Sequence, residues 1–485
     1  MRNLKKELLR RLGLVLAKES ILNHEEAMRP FESDGLTAMK QLPLAVVLPS
    51  NEREVCAVLR ICHELSIPVV ARGAGTGLSG GALPHAEGVL LSMAKFMRIL
   101  SIDPLARLAR VEPGVRNLAI SQAASKYNLF YAPDPSSQIA CTIGGNIAEN
   151  SGGVHCLKYG LTVHNLLRLR VATMSGEMIE IGTEALDSPG YDLMALMTGS
   201  EGMLGIVTEA SVRLLPKPAS VSVLLAAFDE ISCAAEAVGD IIASGILPAG
   251  LEMMDRLSIE AVESFIQAGY PEAAAILLCE LDGTVEAVEE QILAVSAVCE
   301  RHHVIEVRVA RDEMTCQLFW AGRKAAFPAV GRLSPDYYCM DGTIPRKRLA
   351  FILESLKRLS EASGLRIANV FHAGDGNLHP LIMYDANKEG EQALAERVGA
   401  QILELCLEVG GSITGEHGVG VEKINQMCSQ FGRPELDIFL GVKLSFDPSG
   451  LLNPGKVIPT LHRCIEYGAM HVHAGQLPHN EVERF

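Results

Sequence analysis

Ile67-Pro68-Val69-Val70-Ala71-Arg72-Gly73-Ala74-Gly75-Thr76-Gly77-Leu78-Ser79-Gly80-Gly81 is the stretch on which the fold turns. An apolar, β-branched run leads straight into glycines. Gly75-x-Gly77-x-x-Gly80 formally matches the dinucleotide fingerprint, but that fingerprint demands a helix immediately afterwards, whose N-terminus holds the pyrophosphate. Here Ala82-Leu83-Pro84 and Gly88 follow and a second apolar run begins, so the match carries no such meaning. What remains is physical. Glycines in series let backbone N–H groups converge on phosphate oxygens with no Cβ in the way, and Arg72 stands at the loop's entrance. A glycine-rich turn with no ligand is the competing explanation for this stretch alone.

Around the loop, Ala45-Val46-Val47-Leu48, Pro68 to Ala71 and Gly88-Val89-Leu90-Leu91 read as strands. Asn51 to Glu64 reads as a helix capped by Ser50, with Val55, Val58, Leu59 and Cys62 on one face. Two more segments, Thr142-Ile-Gly-Gly-Asn-Ile-Ala-Glu-Asn-Ser-Gly-Gly153 and Thr198-Gly-Ser-Glu-Gly-Met-Leu-Gly-Ile-Val-Thr-Glu209, read as loops where backbone approaches something closely. Three such segments in one region are hard to explain as turns only.

The chain has 485 residues, 48% hydrophobic and 21% charged, which predicts two or three globular domains. Its net charge of −15 argues against a nucleic-acid partner. Twelve cysteines occur without a C-x-x-C pair, so neither an iron–sulfur cluster nor a structural zinc is supported, and scattered thiols suit a reducing cytoplasm. Met1 to Ser20 is basic and amphipathic and reads as a surface helix docked on the core. No run of about 18 apolar residues suggests a membrane span.

Lys217-Pro218 marks a boundary. Beyond it, helical patterns at 230–245 and 284–301 each follow a strand-like run, Val221 to Phe228 and Ala274 to Leu281. Two such units predict an α+β domain with helices on one face of a sheet. In Val370-Phe-His-Ala-Gly-Asp-Gly-Asn-Leu-His-Pro-Leu-Ile-Met383, Asp375-Gly376-Asn377 is strong turn chemistry between apolar runs. The reversal brings His372 and His379 together. Glu416-His417 follows in a glycine-rich stretch, and two imidazoles with a carboxylate make a divalent-metal site with positions left for substrate. Either histidine taken alone is more simply a core histidine.

Pro49-Ser50-Asn51-Glu52-Arg53-Glu54-Val55, the Arg72 loop, Pro113-Gly114-Val115, Pro133-Asp134, Gly144-Gly145-Asn146 and Gly199-x-Glu201-Gly202-x-x-Gly205 together resemble the FAD-binding domain of the vanillyl-alcohol oxidase and p-cresol methylhydroxylase (PCMH) superfamily. The resemblance implies an α+β fold: a two-subdomain PCMH-type FAD-binding domain, an α+β substrate or cap domain with an antiparallel sheet, and a C-terminal segment returning to the FAD domain. The boundaries expected are 1–37 for an N-terminal helical segment, 38–217 for the FAD domain, 218–415 for the cap, 416–460 for the returning segment and 461–485 for a tail. It implies FAD contacts from Arg72, Gly73, Ala74, Gly75, Thr76, Gly77 and Ser79. Further contacts come from Pro133, Asp134 and Ser137, then from Thr142, Gly144, Gly145, Asn146 and Ala148. Glu201, Gly202, Gly205, Val207 and Asn453 complete the set.

The histidine-bearing segment resembles the metal-dependent FAD-linked dehydrogenases of D-2-hydroxy acids. That likeness implies His372, His379 and Glu416 as ligands of Zn, Mn or Fe, His417 as general base, and Arg323 of Trp320-Ala-Gly-Arg323 as the partner of the substrate carboxylate. The 2-hydroxyglutarate branch places a Lys where Cys339 stands and an Asn where Leu381 stands, so a substrate with one carboxylate is favoured. Through Arg323 to Gly331, Asn425 to Cys428 and Thr460 to His473 the chain resembles the FAD-bearing D subunits of bacterial glycolate oxidases. The implied activity is oxidation of glycolate, and by extension D-lactate, within a complex holding a second FAD-domain subunit and an iron–sulfur subunit. The complex would be cytoplasmic, with peripheral contact at the inner face of the plasma membrane through its partners. A stand-alone D-lactate or D-2-hydroxyglutarate dehydrogenase is the alternative, and a non-catalytic flavin-binding assembly subunit stands further off. The tail carries His462, His471, His473 and His479 and is expected to dock a partner, with a poorly ordered terminus as the competing explanation.

The Arg72–Gly81 loop holds neither His nor Cys, so the FAD is expected to be non-covalent. Acid precipitation of the yellow protein should leave a colourless pellet with all flavin in the supernatant; colour retained by the pellet would count against it.

Overall fold

A computed structural model describes residues 2–185 and 189–459, and the tail expected to dock a partner lies outside them. The chain divides into two compact units. One comprises Met1–Gly152, Leu161–Pro216 and the chain from Glu416 onward; the other comprises Gly153–Gly160 and Lys217–Gly415.

The first unit holds two main sheets. In the four-stranded one, Val89–Ser92 lies between Ala45–Val47 and Val69–Arg72, parallel to both, and Ile21–Leu22 adds an antiparallel edge. The three parallel strands are buried on both faces, the ordinary state of such strands, and so read as apolar runs. No helix separates Val69–Arg72 from Val89–Ser92, as the sequence implied. The five-stranded sheet is antiparallel, in the order Ile99–Asp103, Leu108–Val111, Ile206–Arg213, Leu166–Ala172, Met178–Gly182. Helix Arg2–Leu12 lays Leu8 and Leu12 onto the core around Val55 and Leu59 and keeps Lys6 and Arg10 exposed. Among the described residues no helix is long and apolar enough to cross a membrane.

Two local expectations need correction. Asn51, not Ser50, caps helix Glu52–Glu64: its side chain accepts from Glu54 N at 3.0 Å, while Glu54 reaches back to Ser50 N at 2.7 Å. The glycine-rich 142–153 segment is partly a helix, Ile143–Glu149, because Thr142 caps it and Ile143 and Ile147 are buried. Capping and burial there outweigh the poor helix propensity of two glycines.

The second unit is built on a seven-stranded antiparallel sheet, ordered Val304–Ala310, Ser220–Phe228, Ala275–Gly283, Gly250–Asp255, Ile367–Phe371, Pro380–Tyr384, Asp336–Cys339. The anticipated helices appear as Ile231–Ala243 and Val285–Arg301. Helices were expected on one face, but they cover both. Arg256–Ile266 and Glu313–Val330 pack on the face carrying Val223, Leu225, Met254, Ile276 and Leu278. Ile231–Ala243 and Val285–Arg301 pack on the strands as well as on each other, and Leu224, Ala226 and Leu277 of the alternate set are equally buried. The short segment Gly153–Gly160 docks on this sheet through His155 to Glu280 at 2.8 Å and through Lys158 and Tyr159 to Asp282.

Asn51→Ala should lower stability by about 1 kcal/mol through loss of the cap, whereas Ser50→Ala should cost under about 0.5 kcal/mol. The urea midpoint of the transition that unfolds this unit measures both.

Candidate functional site

In the first unit, strand Val69–Arg72 delivers Arg72 to the start of the glycine loop. Gly75 and Gly80 have φ of +74° and +76°, which disfavours any side chain there. A Cβ on Gly75 would stand 2.2 Å from the Arg72 guanidinium, and one on Gly73 would stand 2.3 Å from Thr142 Oγ1. Arg72 donates to Ser33 O at 2.6 Å and lies over the Phe31 ring; burial pushes its pKa down. Ser79 Oγ is buried without a hydrogen-bond partner. Bare backbone, an arginine and a buried hydroxyl with spare capacity together fit a pyrophosphate.

Several other residues expected at the flavin spend their side chains on the protein itself. Glu201, at φ +50°, accepts from Val419 N and Gly420 N, both at 2.7 Å. Asn453 donates to Gly81 O at 3.0 Å and Glu201 O at 2.6 Å. Asn146 accepts from Asn117 Nδ2 at 3.0 Å and turns its own amide to Cys141. These contacts hold the loops in place and leave backbone to face a ligand. Lys456, in the Asn453-Pro454-Gly455-Lys456 turn, was assigned no role from sequence. It donates to Gly81 O at 2.8 Å, Leu83 O at 2.6 Å and Asn453 Oδ1 at 2.6 Å. Burial pushes its pKa down to about 8, against the pull of Glu201, Asp34 and Glu149. Burial pushes Glu149 well up, and the charge of Glu201 adds to the effect. Glu416 and His417 belong to this unit; Glu416 Oε2 accepts from Gly152 N at 3.0 Å, and His417 is half-buried.

In the second unit the 370–383 segment turns back as the sequence implied, with Asn377 N donating to Asp375 Oδ1 at 3.0 Å and a bridge between His372 and Asn377. The buried rings of His372 and His379 stand 5.1 Å apart, nearly perpendicular at 88°, and offer ring nitrogens within 4.8 Å of each other. One ion can bind both at that separation. His372 Nδ1 is 2.6 Å from Glu252 Oε1, and His379 Nδ1 is 3.4 Å from Met340 O. Both rings therefore anchor Nδ1 on the protein and turn Nε2 the other way, as metal-binding imidazoles do.

Arg323, on helix Glu313–Val330, donates from Nε to Glu252 Oε2 at 2.7 Å. Its Nη2 lies 2.7 Å from the same oxygen, but misaligned, and is buried without a hydrogen bond. That donor suits an incoming carboxylate. Glu252 is the residue that sequence reasoning missed. Burial alone would push its pKa up, but His372 and Arg323 together hold it below the usual carboxylate range. The available signal was a charge between apolar Leu251 and Met253 inside strand Gly250–Asp255. Cys339 and Leu381, the two positions tied to substrate size, are direct cross-strand partners, and both belong to the apolar core.

Residues 43–182 match an FAD binding domain, and residues 217–457 match the C-terminal domain of FAD linked oxidases. The chain is similar to glycolate oxidase subunit GlcD of Escherichia coli (strain K12), 64% identical over 96% of this chain and 93% of that one. It is 40% identical to GlcD of Bacillus subtilis (strain 168), over 88% and 91% respectively. Among solved structures, p-cresol methylhydroxylase with substrate bound superimposes with a TM-score of 0.82 at 17% identity, covering 95% of this chain and 98% of that one. The last likeness concerns fold alone and agrees with a PCMH-type architecture. The chain carries an FAD-binding domain.

In flavin-free protein the depressed Lys456 pKa has a consequence of definite sign. Between about 8 and the ordinary lysine value of 10.5 the unfolded chain holds a proton that the folded one lacks. Stability from this group therefore rises with pH across that window, by at most about 1.4 kcal/mol per unit. Urea titrations of wild type and Lys456→Met should differ by this rise; parallel pH profiles would refute it.

Proposed function

We infer the reaction from one premise: the chain belongs to the FAD-linked oxidase family, alongside the glycolate oxidase GlcD subunits. It is an FAD-linked oxidoreductase, and its reaction is the oxidation of glycolate to glyoxylate. The observation that supports a hydroxy-acid substrate is the buried series Arg323, Glu252, His372, with His379 beside it.

Bound FAD supplies the hydride acceptor. A divalent ion, Zn, Mn or Fe, held by His372, His379 and Glu416, would lower the pKa of the substrate hydroxyl. Arg323 pairs with the substrate carboxylate and orients the carbon that is oxidised. His417 takes the hydroxyl proton as general base. The glycine loop with Arg72 holds the FAD pyrophosphate, without a covalent link. Apolar Cys339 and Leu381 offer nothing to a second carboxylate, which favours glycolate over 2-hydroxyglutarate. The chain acts as the catalytic subunit of a cytoplasmic glycolate oxidase complex, working with a second FAD-domain subunit and an iron–sulfur subunit that takes electrons onward.

Anaerobic addition of glycolate to the purified protein should bleach its flavin absorbance, faster than D-lactate and far faster than D-2-hydroxyglutarate. Exhaustive chelation should abolish the bleaching. Arg323→Ala should raise the glycolate KM by about 10–100-fold, the worth of a charge-assisted contact. Unchanged turnover after chelation would remove the metal from the mechanism, and an ordinary KM in the variant would remove Arg323.

A further inference from the structure

We propose that Glu252 is a positioning residue for this reaction, one carboxylate that fixes both the direction of the substrate arginine and the tautomer of a metal-binding histidine. The proposal rests on the roles given above to Arg323 and His372.

Its two oxygens are divided. Oε2 takes Arg323 Nε–H at 2.7 Å, and Oε1 meets His372 Nδ1 at 2.6 Å. A carboxylate only accepts, so a neutral His372 must carry its proton on Nδ1 and its lone pair on Nε2. That is the form that binds a metal, and a carboxylate behind the ring also raises its basicity. On the other side, holding Nε fixes the plane of the guanidinium, whose buried Nη2 lies 2.7 Å from the same oxygen without forming a hydrogen bond. Arg323 and His372 come from a helix and a hairpin, 71 and 120 residues away from Glu252, so neither is aligned with the other by its own element.

Fold maintenance is not a sufficient reason for this carboxylate. Helix Glu313–Val330 is already held to the unit at Trp320, whose Nε1 donates to Glu280 Oε2 at 2.5 Å. Tyr270 adds a second clamp, donating to Phe319 O at 2.5 Å, and Phe319 and Ala326 pack into the core. Buried ion pairs of this kind are commonly no better for stability than apolar side chains of the same volume. The two donors that Glu252 serves are the ones the reaction needs aimed.

Glutamine at 252 tests this. Its one amide oxygen can stand on only one of the two sides that Oε1 and Oε2 now serve, and its NH2 group meets the partner on the other side as donor against donor. In Glu252→Gln holoenzyme, metal affinity measured by elemental analysis after dialysis against graded chelator should weaken by about 10–100-fold. At saturating metal the glycolate KM should rise at least about tenfold, with FAD content unchanged. Glu252→Asp, which keeps the charge, should recover part of both losses. A Gln variant that holds metal and glycolate as wild type does would overturn the proposal. So would loss of FAD in both variants, which would mark the residue as structural. Wild-type protein that binds no metal, or an Arg323→Lys variant with ordinary KM, would instead fell the reading beneath it.

Discussion

A carboxylate in the middle of a strand buried on both faces has to be neutralised where it stands. Glu252 meets that requirement with Arg323 from one side and His372 from the other. Arg323 reaches it from helix Glu313–Val330, and the hairpin carrying His372 pairs beside it through strand Ile367–Phe371. Removing one member would leave an uncompensated charge in the core, which is far more costly than never having placed it. The three residues form one hydrogen-bonded series, Arg323 to Glu252 to His372.

The first unit solves a different problem: holding a long irregular backbone steady without side chains of its own. Gly73, Gly75 and Gly80 contribute none, and the support comes from elsewhere in the chain. Asn453 and Lys456 take up the carbonyls of Gly81 and Leu83, and Glu201 takes up the amides of Val419 and Gly420. The loops stay available for a cofactor because their stiffness is supplied from behind.

Much of this architecture was legible in the chain. The absence of a helix after Gly81 is visible in Pro84 and Gly88, and the strand-then-helix rhythm of 221–301 follows from apolar runs giving way to helical periodicity. Asp375-Gly376-Asn377 announces the reversal that brings His372 and His379 together. What escaped was set by tertiary contact. The helix at Ile143–Glu149 reads as loop because Gly144 and Gly145 disfavour it locally. Helices were expected on one face of the large sheet only, although the unalternating run Val223 to Phe228 is the mark of a strand covered twice. Glu252 was not singled out, since both its partners are remote in sequence. Lys456 stands in the Asn453-Pro454-Gly455-Lys456 turn, and nothing local tells a lysine that caps carbonyls from one that faces water.

The first unit's dependence on its last residues has a consequence for biosynthesis. Val69 N donates to Leu451 O at 2.8 Å, and Asn453 N donates to Val69 O at 2.8 Å. Lys456 lies 375 positions after Gly81, whose carbonyl it holds. At roughly 5–20 residues per second, an emerging chain waits on the order of 20–75 seconds between making the glycine loop and making what steadies it. For that interval the second unit, though later in the chain, can complete its own sheet first. A chain cut short before Leu451 would carry every glycine of the loop and still lack its scaffold.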